Sequence, residues 1–140
     1  VQVEGVSRMV EINAYSNAAS GDKQLSTHFK VREFACRDGA DAVLVAPRLV
    51  MVLESIRTHF DVPVTISSGY RTPEHNAKQQ GASLHSQHCY GMAADIVVKG
   101  QTPQAVAAYA RQLMPDWGGV GIYKGFTHID VRENKSDWKG

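Results

Sequence analysis

Cysteine is scarce in this chain. Cys36 and Cys89 are its two thiols, too few for a disulfide scaffold. Cys36, within Arg-Glu-Phe-Ala-Cys-Arg, reads as a small buried hydrophobe, because free cysteine is among the most buried residue types. Long apolar runs are missing as well. Nothing approaches the ~20 residues that cross a bilayer, and no basic-then-apolar opening reads as a signal peptide. The chain begins at Val1 rather than Met, so removal of a leader or of a further domain is an open expectation. Charge of one sign is also lacking. The formal net charge is +1 with a pI near 8.0, and Lys and Arg are scattered, so the electrostatic footprint of a nucleic-acid binder is absent.

What is present fits one domain: 140 residues bury roughly two thirds of the surface their unfolded chain exposes. Residues 1–24 hold Val3, Val6, Val10 and Ile12, then a cluster of turn formers from Ser16 to Asp22, and read as an arm or linker with a short strand near Met9 to Tyr15. The domain proper is expected over 25–140. Val31 to Phe34 opens a short helix, with His28 before it a surface or packing histidine. After Ala46-Pro47, the residues Leu49, Val52, Leu53, Ile56 and Phe60 recur at helical spacing, and His59 at that helix's end reads as capping or solvated. Asp61 to Ser67 alternates as a strand. Thr72-Pro73 is a cap followed by proline, starting a short helix from Glu74 to Gln80 that Gly81 closes, with His75 solvated. Ile96 to Val98 continues a buried strand from Asp95. Thr102-Pro103 repeats the cap signature before a helix bearing Val106, Tyr109, Ala110 and Leu113, which Pro115 and Gly118-Gly119 end. Val120 to Tyr123 and Phe126 to Val131 read as a hairpin turning near Lys124-Gly125, and Trp138 in the polar tail is expected to pack back on the body.

The chemistry concentrates in Ser86 to Asp95 and in Phe126 to Arg132. Two imidazoles and a carboxylate suit a borderline cation, and as three ligands they leave the fourth position of a tetrahedral zinc open for water. His88, Asp95 and His128 are therefore the candidate ligands of one Zn2+. Gly91, Ala93 and Ala94 are small enough for a tight turn between the first two. Cys89, adjoining His88, is a weaker thiolate candidate, since sequence neighbours on an extended segment project oppositely. The two-residue period of the last strand puts Phe126, His128, Asp130 and Arg132 on one face. Asp130 is thereby a candidate for holding His128 from behind or for acting as a base. His85 is a second candidate base, with a plain loop histidine as its alternative. Arg71 has the planar fork for a substrate carboxylate or a developing oxyanion, with a structural ion pair as the alternative. Ser86 and Gln87 are candidate substrate contacts, against the commoner role of such a serine as a cap.

Ser86, His88, Gly91, Ala93 and Asp95 match Ser-x-His-x-x-Gly-x-Ala-x-Asp, and Ser68-Gly69-Tyr70-Arg71-Thr72-Pro73 and Phe126-Thr127-His128-Ile129-Asp130 flank it in order. In these blocks the chain resembles the zinc D-alanyl-D-alanine carboxypeptidases and related peptidoglycan peptidases, a superfamily that includes lysostaphin-type enzymes and the hedgehog signalling domain. The resemblance spans about Leu25 to Trp138. It implies a single α+β domain, a small antiparallel sheet flanked by helices, with zinc on His88, Asp95 and His128. It also implies cleavage of stem peptides ending in D-Ala-D-Ala by a monomer acting outside the cytoplasm, in the periplasm or at the cell wall, or released from the cytoplasm if phage-encoded. Many members of the family carry an Asp three positions before the last His ligand, and here that position is Gly125. Carboxypeptidase action is the first expectation, endopeptidase action the next, and a zinc-bearing, non-catalytic wall-binding module the alternative that Gly125 brings in.

Overall fold

The computed structural model describes residues 10–79 and 85–140. Within them the chain runs β1 (Asn13–Ser16), α1 (Asn17–Ser20), a 3-10 turn (Val31–Phe34), β2 (Ala42–Val45), α2 (Pro47–Phe60), β3 (Val64–Ser68), α3 (Pro73–Ala77), a second 3-10 turn (Gln87–Tyr90), β4 (Ala93–Val98), α4 (Pro103–Leu113), β5 (Gly119–Ile122), β6 (Thr127–Asp130) and β7 (Ser136–Lys139). The class is α+β, but the sheet arrangement departs from one small antiparallel sheet. β1 and β2 form a two-stranded sheet, and β3-β4-β6-β5-β7 form a five-stranded one in which β7 runs parallel to β5. The polar tail thus adds an edge strand. At the other end, β1 pairs with β2, so the described part of the segment read as an arm is docked on the body.

The helices follow from their apolar spacing. Leu49, Val52, Leu53 and Ile56 of α2 are buried, as are Val106, Ala110 and Leu113 of α4. Both helices start at a proline in the first turn, where the missing N–H costs nothing. They cover the sheet face made by Ala94, Ile96, Ile129 and Val120, all in one apolar cluster. Each fully buried Leu or Ile there contributes about 1.5–3 kcal/mol. Among the histidines outside the motifs, His28 pairs with Glu54 at 2.6 Å, and His59 is stacked on Tyr109 with ring centroids 3.7 Å apart. The short helix expected to reach Gln80 ends at Ala77. Gln80 and Gly81, like Val3, Val6 and Met9, lie outside the described residues.

The opposite face of the sheet is left for polar groups by alternation, with Asp95, His128 and Asp130 on the strands' second parity. A register shift between Ile66 and Ser68 brings Ser68 onto that face beside Asp95, as bulges commonly re-aim a side chain. The turn that feeds β4 depends on Gly91, whose φ is +73° and whose added Cβ would lie 2.5 Å from the Leu44 carbonyl oxygen. Its own carbonyl accepts from the Ala46 N–H at 2.8 Å. Gly91→Ala is expected to cost about 1–3 kcal/mol from the left-handed backbone and the backbone clash together. An unchanged denaturant midpoint in that variant would show that the turn relaxes freely.

Candidate metal centre

Three acceptor atoms meet on the polar face. Asp95 lies directly opposite His128 in the β4–β6 register, and its Oδ1 is 3.0 Å from His128 Nδ1 and 3.3 Å from His88 Nε2. His88, Asp95 and His128 are all buried, and among the described residues they form a group whose ligand atoms lie within 4.8 Å of one another. The remaining ring nitrogens are spoken for. His88 Nδ1 is 2.7 Å from the Gly69 carbonyl oxygen, which only accepts, so that nitrogen carries the proton. His128 Nε2 is 2.8 Å from Asp130 Oδ2, and an ionised carboxylate likewise only accepts. Neutral imidazoles in these tautomers aim two bare lone pairs at a carboxylate oxygen. Three buried lone pairs converging on one point fit a cation, with the outer nitrogens fixed as metal-bound histidines usually are.

Each buried carboxylate has its own arginine. Arg71 donates from Nη2 to Asp95 Oδ2 at 3.3 Å, from Nε to Ser68 Oγ at 3.1 Å and from Nη1 to Asn76 Oδ1 at 3.3 Å. The structural ion pair weighed for Arg71 is therefore present, and it leaves Asp95 Oδ1 for the histidines. Asp130, fully buried, receives Arg132 Nε at 2.8 Å, Arg132 Nη2 at 2.6 Å and the Gly119 N–H at 3.0 Å besides His128. Burial alone would raise both carboxyls. Once the rings are protonated on the nitrogens that face it, hydrogen bonds from His128 and His88 hold Asp95 below the ordinary carboxylate range, and those from His128 and Arg132 do so for Asp130. Burial would lower His128, but the hydrogen bonds that its protonated ring makes to Asp130 and Asp95 raise it. With both acids offset by guanidinium, an added dication would leave the site net positive, as an electrophilic centre requires.

The other sequence candidates separate. Ser86 caps the Gln87–Tyr90 turn, its Oγ accepting from the His88 N–H at 3.3 Å. Gln87 holds that turn through its carbonyl, which accepts from the Met92 N–H at 3.1 Å. His85 is exposed in the loop before it. Asp130 is walled in with both oxygens engaged, so of its two weighed roles the holding of His128 matches the geometry. Cys89 stays out of the cluster, and burial pushes its thiol up, away from the thiolate a metal would need. Cys36 is buried and its Sγ accepts from the Thr72 N–H at 3.4 Å. The strand period shows the pairing of Asp130 with Arg132, but nothing local in the sequence marks Asn76, which is 4% exposed and steadies Arg71.

Asp38 anchors the loop next to the Arg71 segment. It accepts from Thr72 Oγ1 at 2.6 Å and from the Ala40 N–H at 2.8 Å, and these bonds lower its carboxyl from 3.8 to about 2. A carboxyl whose folded pKa is depressed stabilises the fold above its unfolded pKa and loses that contribution as pH falls through the folded one. The anchor is thus complete above pH ~4 and released between ~4 and ~2. Asp38→Asn should flatten the acid limb of thermal stability in that window; an acid limb identical to that of the parent would refute the anchor.

A family model for peptidase M15 matches residues 24–130. No curated protein matches the chain. Among the described residues, no helix is long and apolar enough to cross a membrane. The match takes in Arg71, His88, Asp95 and His128 and covers well over half of the 140 residues: the chain belongs to the peptidase M15 family.

Proposed function

We propose that this protein is a zinc metallopeptidase of peptidoglycan, removing the terminal D-alanine of stem peptides as a D,D-carboxypeptidase. The observation that carries the reading is the convergence of His88 Nε2, His128 Nδ1 and Asp95 Oδ1 with both outer ring nitrogens already bonded. These residues would hold the zinc. When bound, it supplies Lewis acidity towards the scissile carbonyl and a nucleophile at neutral pH. Arg71, fixed by Ser68, Asn76 and Asp95, has one further N–H on each terminal nitrogen to offer the carboxylate that ends the stem peptide. Asp130 keeps His128 in the tautomer that leaves Nδ1 bare. His85, exposed three residues before His88, is the candidate that carries the proton to the leaving amine. The site of action is the cell wall or periplasm, reached from the cytoplasm if the protein is phage-encoded, and the working form is a monomer.

A second reading, a zinc-bearing wall-binding module without catalysis, draws on Gly125. That position, where many family members place a carboxylate, is an open surface turn with nothing within 4 Å of an added Cβ. Mass spectrometry of a pentapeptide muropeptide incubated with the zinc-loaded protein separates the readings. Loss of one alanine that a chelator abolishes supports the carboxypeptidase, and a cut inside the stem makes it an endopeptidase. Intact muropeptide and intact crosslinked wall together would favour the module.

A further inference from the structure

The metal-ligand row continues across the sheet beyond His128. Asp95 pairs with His128, His128 with Gly121, and Gly121 with Trp138, so all four positions share one face. β5 contributes glycine at both of its positions on that face, Gly119 and Gly121. The trough this leaves admits the Asp130 carboxylate over Gly119, and over Gly121 it admits the Trp138 indole, whose Cε2 and Nε1 lie 2.6 Å from where a Cβ would stand. The indole thereby comes to 4.9 Å from the His128 ring, centroid to centroid. It is fixed there: Nε1 donates to the Tyr123 hydroxyl at 2.9 Å, and the Arg132 guanidinium lies 5.2 Å from its centroid. Tyr123 is in turn stacked on Phe126 at 4.5 Å. Trp138 is half-buried, so part of this aromatic group faces solvent beside the three ligands. Its strand lies outside the family-matched residues.

We propose that Trp138 is a specificity-determining residue of this site, its indole forming the side of the cleft next to His128 that receives the alkyl side chain of the substrate residue beside the scissile bond. The inference rests on the peptidase reading. A rigid ring with few rotamers to lose is suited to the task, because it offers apolar area at small entropic cost. Arg71 stands at the other end of the row, on Asp95, so a stem peptide lying along it meets a cation on one side of the ligands and an aromatic face on the other.

The test compares Trp138→Ala and Trp138→Phe with the parent, all zinc-loaded, on the pentapeptide muropeptide, with zinc affinity measured separately by competition against a chromogenic chelator. The expected result is a KM raised about tenfold in Trp138→Ala with kcat within about threefold, a partial return in Trp138→Phe, and zinc affinity unchanged in both. In a Trp117→Phe background, Trp138 is the remaining indole, and its emission should shift when muropeptide is added to the metal-stripped protein. Cleavage with a parental KM in both variants, or no emission shift, overturns the role of Trp138 and leaves the peptidase standing. A zinc affinity lowered more than about tenfold in Trp138→Ala also overturns it, by reducing the indole to a prop for His128. Failure of the parent to cut any stem peptide overturns the peptidase reading and this inference with it.

Discussion

Asp95→Ala protein is expected to emerge from dialysis without zinc and to leave the pentapeptide muropeptide uncut. The two imidazoles that remain are held by separate elements, His88 by the Gln87–Tyr90 turn and His128 by β6, and Asp95 Oδ1 is the atom both of them face. It is also the one anionic donor among the three. Loss of a partner behind a ligand typically lowers metal affinity about 10–100-fold, so loss of the anionic ligand itself should exceed that range. The variant carries a second cost. Arg71 Nη2, whose side chain is 15% exposed, loses its carboxylate, and stranding a buried charge costs about 3–5 kcal/mol, reduced here because Ser68 and Asn76 still accept from the guanidinium. Zinc content by atomic absorption and the denaturant midpoint read the two effects separately. Stoichiometric zinc in a folded Asp95→Ala protein would remove Asp95 from the ligand set.

The parts of this architecture legible in the sequence are those set by local period. The 3.6-residue spacing of Leu49, Val52, Leu53 and Ile56 and the alternation of His128 and Asp130 put these side chains on the faces where the structure has them. Gly91 and Asp95 carry the turn and the strand between them in their own residue types. Pairings between distant segments were not legible. The short strand expected near Met9 to Tyr15 is β1 at Asn13–Ser16, but its pairing with Val43 and Val45 of β2 is written in no local pattern. Ser136 to Lys139 reads as polar tail for the same reason. Its ladder partner is β5, reached by a parallel register that no local pattern encodes. Gly119 reads as a helix stop because glycine serves both ends, yet it lies in β5, where a missing side chain marks close approach by Asp130. The site therefore differs from its sequence image on the β5–β7 side, where its neighbours come from far along the chain.

Asp130→Asn is expected to weaken zinc binding about 10–100-fold while leaving kcat at saturating zinc within about tenfold of the parent. An essential base lost at this position would instead lower kcat about 10²–10⁴-fold whatever the zinc concentration. The geometry decides between these outcomes. Asp130 has no exposure, and its oxygens already receive His128 Nε2, two nitrogens of the Arg132 guanidinium and the N–H groups of Gly119 and Arg132. A proton taken up there would have to break the bond to Arg132. The carboxyl is held below the ordinary range once His128 and Arg132 offset its burial, which makes it a poor acceptor at neutral pH. Asparagine keeps one oxygen but replaces the other by an amide N–H₂. If the amide oxygen meets His128, the nitrogen faces Arg132, and the guanidinium, 30% exposed, turns towards water. If it meets Arg132, the histidine loses its acceptor and its tautomer is no longer fixed. Either way the charge behind His128 disappears, so the ligand is less basic and zinc is held less tightly, while the reacting side of the site keeps its groups. Asp130→Ala should follow the same pattern with a larger loss of stability, and a variant that binds zinc like the parent yet turns over a thousandfold more slowly would restore Asp130 as the base.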